Sequence, residues 1–210
     1  QQAKLTASDA QASDLFGSAV GISGSTIVVG AIGEDTTAAQ AGAAYVFTRS
    51  GTTWTQQQKI QASDAEGSDN FGESVDIDGD TLVVGAWNED TGASNAGAAY
   101  IFTRSGTTWS QQAKLTANDA EEDDRFGNAV SVDGDTVAIA AYREDTTASG
   151  AGSVYVFTRS GTTWTQSDKL QASDAEADDW FGISLALDGG TVIVGAHNED
   201  AQGTAAGAAY

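Results

Sequence analysis

The stretch DNFGESVDIDGDTLVVGAWNED, residues 69–90, decides the fold. A Phe-Gly pair, Phe71-Gly72, leads into the short segment ESVDI at 73–77, an Asp-Gly-Asp turn, the apolar segment TLVVGA at 81–86 and an acidic loop. Strand, tight turn, strand is the signature of a β-hairpin. Nearly the same run occurs four times. Phe16-Gly17, Phe71-Gly72, Phe126-Gly127 and Phe181-Gly182 stand 55 positions apart, with no insertion or deletion between them. Lys4, Lys59, Lys114 and Lys169 keep the same interval, as do Trp54, Trp109 and Trp164, so a whole unit recurs and not a single motif. A fixed period of this size marks solenoids, propellers or arrays.

Further along the unit, GAAYIFTRS at 97–105 and TWSQQAKL at 108–115 flank Ser105-Gly106-Thr107, a second hairpin signal. Each unit is therefore four strands, A to D in chain order, and no window carries a 3.6-residue apolar period. Strand B is apolar on consecutive residues, as in Ile27-Val28-Val29 and Val192-Ile193-Val194, which implies burial on both faces. Strand D alternates more, as an outer edge should. Four-stranded antiparallel sheets packed face to face around an axis make a β-propeller. The expectation is one all-β domain over residues 1–210, built of four 55-residue blades. A parallel β-helix is the rival, but its coils are shorter and need not contain two hairpins each.

With 40% hydrophobic residues in short runs, the composition suits a folded domain of extracellular type, and no segment is long enough to span a membrane. There is no Cys, so disulfides and thiolate metal sites are excluded, and there is neither Met nor Pro. The formal charge of -21 repels phosphate backbones and anionic lipid, so neither nucleic acid nor a membrane is expected as partner. The same acidity would also suit a surface adapted to high salt.

The Phe-Gly pairs, followed about a dozen residues later by Gly30-Ala31, Gly85-Ala86, Ala140-Ala141 and Gly195-Ala196, resemble FG-GAP repeat proteins, the blade type of the integrin α-subunit propeller. The resemblance covers essentially the whole chain. Two departures stand out: Ile32, Trp87, Tyr142 and His197 replace the Pro that closes the motif, and Ala140 stands where Gly is expected. The resemblance implies calcium, held by a DxDxDG loop between strands A and B, and an extracellular or cell-surface location. The A–B connections here, centred on Gly24, Gly79, Gly134 and Gly189, are too short to wrap an ion that wants six to eight oxygens. Asp in them reads as a residue of a type I′ turn, tolerant of left-handed φ.

The better cation candidates lie in the D–A and B–C connections, which should share one face. Asp64 and Asp69, Asp119 and Asp124, and Asp174 and Asp179 repeat Asp9 and Asp14, while Glu89-Asp90 repeats at 34–35, 144–145 and 199–200. These carboxylates either hold calcium or another hard cation, or cap loop amides and keep the surface solvated. Catalysis is not expected. The only histidine, His197, occupies a position filled by Ile, Trp and Tyr elsewhere, and fourfold repetition of the same acidic pairs gives no two carboxyls distinct environments.

Comparing the units with one another separates scaffold from function. FTRSGTTW recurs verbatim at 47–54, 102–109 and 157–164. Change concentrates before the Phe-Gly pair, at Leu15, Asn70, Arg125 and Trp180, and after the Gly-Ala pair, at Ile32, Trp87, Tyr142 and His197, with Arg143 beside them. Trp87, Tyr142, His197, Arg125, Trp180 and Arg143 therefore form the candidate recognition surface for a protein or glycan. Two functional classes follow: a noncatalytic extracellular binding or adhesion propeller, or a purely structural repeat module, engineered or part of a longer array. Four whole units would need 220 residues against the 210 present, and the shortfall matches residues 46–55, the tip of one C–D hairpin. Residues 1–5 should thus complete the fourth blade against 206–210, either within one chain or between two. The larger rings of FG-GAP relatives favour the second, an eight-bladed homodimer.

Overall fold

The computed structural model describes residues 2–200 and 203–210. The first unit folds as β1 (Phe16–Ser23), β2 (Thr26–Ala31), β3 (Ala43–Ser50) and β4 (Thr53–Ile60). The second contains β5 (Val75–Asp78), β6 (Thr81–Ala86), β7 (Ala98–Ser105) and β8 (Thr108–Leu115). The third contains β9 (Phe126–Asp133), β10 (Thr136–Ala141), β11 (Ser153–Ser160) and β12 (Thr163–Leu170). The fourth contains β13 (Ser184–Asp188), β14 (Thr191–Ala196) and β15 (Ala208–Ala209). Within each unit neighbouring strands pair antiparallel in chain order, giving an all-β arrangement of four propeller blades.

The A–B turns differ from expectation in detail. At Gly24, Gly79 and Gly134 only the glycine is left-handed, with φ of 55 to 58°, and the Ser or Asp after it is not, which is the pattern of a type II′ turn. Asp80 instead receives Arg104 Nε at 2.7 Å, and Asp135 receives Arg159 in the same way. Only the fourth blade, with Gly189 and Gly190 both left-handed, has the type I′ pattern.

The core lies between blades. Val28, Ala44 and Val46 of the first blade pack on Phe71, Val75 and Ile77 of the second, and this set recurs with Val83, Ala99 and Ile101 on Phe126, Val130 and Val132. The third such cluster joins Ala138 and Val154 to Phe181 and Leu187. In the first three blades the motif Phe also meets two rings of its own blade edge-on, as Phe71 lies 5.5 Å from Tyr100 and 6.0 Å from Phe102, and Phe181 meets Tyr210 at 5.5 Å. The motif glycines mark where neighbouring backbones touch. A Cβ on Gly30 would stand 2.0 Å from Gly72 O, and one on Gly85 would stand 1.9 Å from Gly127 O. The third blade carries Ala140 because its contact is looser. A Cβ on Gly182 would lie 3.2 Å from Ser153 O, where one on Gly72 would lie 2.5 Å from Ala43 O. Asn128, longer than the Ser18 at its repeat position, spans that gap to Gly182 O at 3.0 Å.

The repetition leaves two end faces bare. Val20 and Ile22 are 70% and 64% exposed, whereas Val75 and Ile77 at the same repeat positions are 8% and 4% exposed. At the other end Ile193 is exposed, although its counterparts Val28, Val83 and Ala138 are fully buried. The fourth sheet has three strands among the described residues, and residues 2–5 add no strand to it within the chain. Of the segment 1–5 expected to complete that sheet, Gln1 lies outside the described residues.

Candidate functional site

Backbone hydrogen bonds put the D–A and B–C loops on one face. Ser68 N and Phe71 N donate to Ala39 O and Ala41 O, both at 2.9 Å, so each D–A loop lies on the B–C loop of the blade before it. Asp123 N to Ser94 O and Asp178 N to Ser149 O repeat the contact. The D–A loop is shaped by two left-handed residues, such as Ser68 and Asn70 at φ of 73° and 58°. The residue before each motif Phe is left-handed in every blade, even where it is Leu15, Arg125 or Trp180. A bulky side chain is strained there, so the loop contacts must impose the conformation.

The acidic residues are committed inside this loop layer. Asp14, Asp69, Asp124 and Asp179 are buried and each accepts from the amide three residues before it, at 2.6 to 2.7 Å. Burial pushes the carboxyls of Asp69 and Asp124 up to about 6. Asp64 and Asp119 instead meet lysine. Lys114 Nζ lies 2.7 Å from both Asp64 Oδ2 and Glu89 Oε1, over the ring of Tyr100 at 5.4 Å. Lys59 binds Asp9 and Glu34 over Tyr45, and Lys169 binds Asp119 and Glu144 over Tyr155, in the same way. Partial burial is the largest single influence and opposes the charges of Asp64 and Asp119, but the lysine hydrogen bond, the nearby tyrosine hydroxyl and the lysine charge together outweigh it and hold both carboxyls below the usual range. The Lys59 hydrogen bond likewise lowers Asp9.

Glu89 further accepts from the Thr91 amide and hydroxyl, Asp90 caps Asn95 N at 2.7 Å, and Asp174 accepts from Tyr210 Oη at 2.9 Å. Among the described residues no three His, Cys, Asp or Glu side chains converge to hold a metal. This donor set does not fit calcium: the oxygens that would have to bind the ion face lysine and backbone amides, not one another.

The variable residues do meet. Arg125 stacks its guanidinium 4.6 Å over Trp87, donates to Asn88 Oδ1 and pairs with Asp123 at 3.0 Å. Asn88 also donates to Asn70 at 3.0 Å. Trp180 lies edge-on between Tyr142 at 5.5 Å and His197 at 5.2 Å, and Arg143 covers the other side of Tyr142 at 5.7 Å. A recess beside Trp180 is lined by Glu122, Asp123, Arg143, Asp145, Gly150 and Asp178. Exposure is uneven: Arg143 and His197 are exposed, Trp87, Arg125 and Trp180 are half-buried, and Tyr142 is buried. The rings of this set thus pack between neighbouring loops as well as edging the face.

The blade geometry, the touching glycines and the fourfold repeat coincide with a family match. The FG-GAP repeat matches residues 1–47, 54–102, 109–157 and 164–210. The chain belongs to the FG-GAP repeat family. A comparison with curated proteins finds no match. FG-GAP repeats are typical of extracellular proteins, and their propeller is a scaffold suited to binding or structural roles. Among the described residues no helix is long and apolar enough to cross a membrane.

One feature of these FG-GAP blades was missed as a site: the lysine clamp. Its signal was present, since each lysine follows one acid by 50 residues and another by 25, three times over.

Proposed function

We propose that this FG-GAP chain is a noncatalytic extracellular binding module that recognises a protein or glycan with its D–A/B–C face. The observation that supports this reading is the strip formed by Trp87, Arg125, Tyr142, Trp180 and His197, whose members are the residues that vary between otherwise near-identical blades. These positions carry Leu, Asn, Arg and Trp before the motif Phe and Ile, Trp, Tyr and His after the Gly-Ala pair, whereas the exposed C–D turn is identical in three blades. Half-buried aromatics with an open edge, beside a recess holding one arginine among carboxylates, suit ligands with both apolar faces and hydroxyls or amides.

A purely structural role is the second reading. It is favoured by the burial of Tyr142 and by the contact of every ring with a neighbouring loop.

A glycan and protein array probed with the intact chain separates the two. Reproducible binding is expected, reduced at least tenfold in Trp180→Ala and Arg143→Ala while the melting temperature changes little. Absence of any reproducible binding, or binding that both variants keep, supports the structural reading.

A further inference from the structure

We propose that the recess beside Trp180, between the loops of the third and fourth blades, is a subsite for one neutral sugar ring, whose hydroxyls meet Asp178, Asp145 and Arg143 while the indole forms its apolar wall. The inference rests on the reading of the D–A/B–C face as a recognition surface, and it selects between the two ligand classes given there.

The junction one blade earlier is the template. There Asp123 Oδ1 accepts from Asn95 Nδ2 and from Arg125 Nη2, both at 3.0 Å, and Arg125 also donates to Asn88. The polar groups of that junction thus answer one another within the chain. At the next junction, 55 positions on, the aspartate is kept as Asp178, but Arg143, Gly150 and Trp180 stand where Asn88, Asn95 and Arg125 stood. Both donors to the aspartate are gone.

The same replacements make the space. Gly150 brings no side chain, and Asp178 Oδ1 lies so near that a Cβ there would stand 2.8 Å from it. What remains is a recess of about 270 Å³. Sites for drug-sized ligands run from about 300 to 1,000 Å³, so this one suits a single ring. Asp123 lines it too but is held by Arg125. The side chains of Glu122, Asp145 and Asp178 make no hydrogen bond or ion pair among the described residues, and Arg143 makes no ion pair there.

The lining selects its ligand by what each group can exchange. Ionised carboxylates only accept hydrogen bonds, and a guanidinium only donates them. A cationic ligand would only donate, leaving Arg143 unanswered and adding a like charge beside it. An anionic one would only accept, facing three carboxylates in a chain of formal charge -21. Vicinal hydroxyls do both and carry no charge to desolvate. The C–H face of a sugar ring packs on an aromatic wall, and Trp180 is already fixed edge-on between Tyr142 at 5.5 Å and His197 at 5.2 Å, so little ordering remains for binding to impose.

The test is an array of neutral, sialylated and sulfated glycans and of basic peptides, probed with the intact chain and with Gly150→Asn. That variant rebuilds the earlier junction: it fills the recess and offers Asp178 the donor that Asp123 has. The fold should accept it, because Asn95 holds the same repeat position at φ of 52°, close to the 65° of Gly150. Neutral glycans should bind, at least tenfold more weakly in Gly150→Asn at an unchanged melting temperature. Their binding should also persist in about 1 M sodium chloride, where charge attraction is screened beyond about 3 Å. Binding confined to basic peptides or to acidic glycans would overturn this inference and leave the recognition face standing. So would neutral-glycan binding that Gly150→Asn keeps or that salt abolishes. Absence of binding to every probe would overturn both.

Discussion

The contact line between blades and the loop face above it are built from the same repeats, yet they tolerate change very differently. Along the contact line backbone meets backbone, with Gly85 and Gly127 packed so closely that no side-chain atom fits, and the third blade admits Ala140 only where the next strand has drawn back and Asn128 spans the gap. On the loop face, backbone hydrogen bonds fix the chain path while the side chains meet variable residues of the neighbouring loop, as Asn70 meets Asn88, Arg125 meets Trp87 and Trp180 meets Tyr142, so Leu, Asn, Arg and Trp all occupy one position. Where backbone supplies the contact, identity is constrained by volume. Where backbone supplies only the path, identity is free to serve recognition.

The largest expected effect breaks the contact line. Gly85→Ala adds an atom 1.9 Å from Gly127 O and should destabilise the chain by about 3 kcal/mol, at the upper end of overpacking costs. The reverse change, Ala140→Gly, should cost about 0.5–1 kcal/mol, the usual penalty for glycine in a strand. Urea denaturation of both variants checks the contrast. Equal costs would mean that the blades adjust freely and that the glycines are not what positions them.

Next in size is the clamp beneath the loop face. Lys114→Met leaves the buried carboxylate of Glu89 without its cation, and the expected loss is about 2–3 kcal/mol, below the range for fully buried pairs because Asp64 remains partly solvated. Glu89→Gln in the same chain should recover part of it. If the single variant is as stable as the parent, the clamp contributes nothing and the loops are held by backbone alone.

How much of this was legible in the sequence follows from the same division. The period of 55, the two hairpins per unit and the apolar B strand were readable because local pattern dictates strands, and the structure places all of them as expected. The face shared by D–A and B–C loops was readable from the order of strands. The partners of the carboxylates were not. Asp64 and Lys114 are 50 residues apart, and only the packed loops show that the lysine lies between Asp64 and Glu89. Nor could the sequence show that Tyr142 is buried, since an aromatic in a loop looks the same whether it faces solvent or a neighbouring ring.

The smallest expected effect is one of pH, because two sets of carboxylates in this layer oppose each other. Asp69 and Asp124, raised by burial to about 6 from an ordinary 3.8, hold a proton more tightly in the folded chain than in the unfolded one. Their contribution is therefore full below about 3.8 and is lost as pH rises through about 6. Asp9, Asp64 and Asp119, lowered with the help of their lysines, behave oppositely, as do Glu34, lowered against its burial by lysine and threonine hydrogen bonds, and Glu144, lowered against its burial by hydrogen bonds from Ser153, Thr146 and Lys169. Their stabilisation is full above the ordinary values of 3.8 and 4.5 and fades as pH falls through them toward the lowered ones. The two windows leave an optimum between about 4.5 and about 6. Melting curves should thus show a temperature about 2–4 °C higher at pH 5 than at pH 7.5, the shift that ~1 kcal/mol produces in a chain of this size, and a fall below pH 4. Asp69→Asn with Asp124→Asn keeps an oxygen acceptor for the Glu66 and Glu121 amides and should flatten the neutral limb while leaving the acid limb in place. Stability that rises from pH 5 to pH 7.5 would show that the buried aspartates keep their charge at no cost, and that the loop face, unlike the contact line, is electrostatically relaxed.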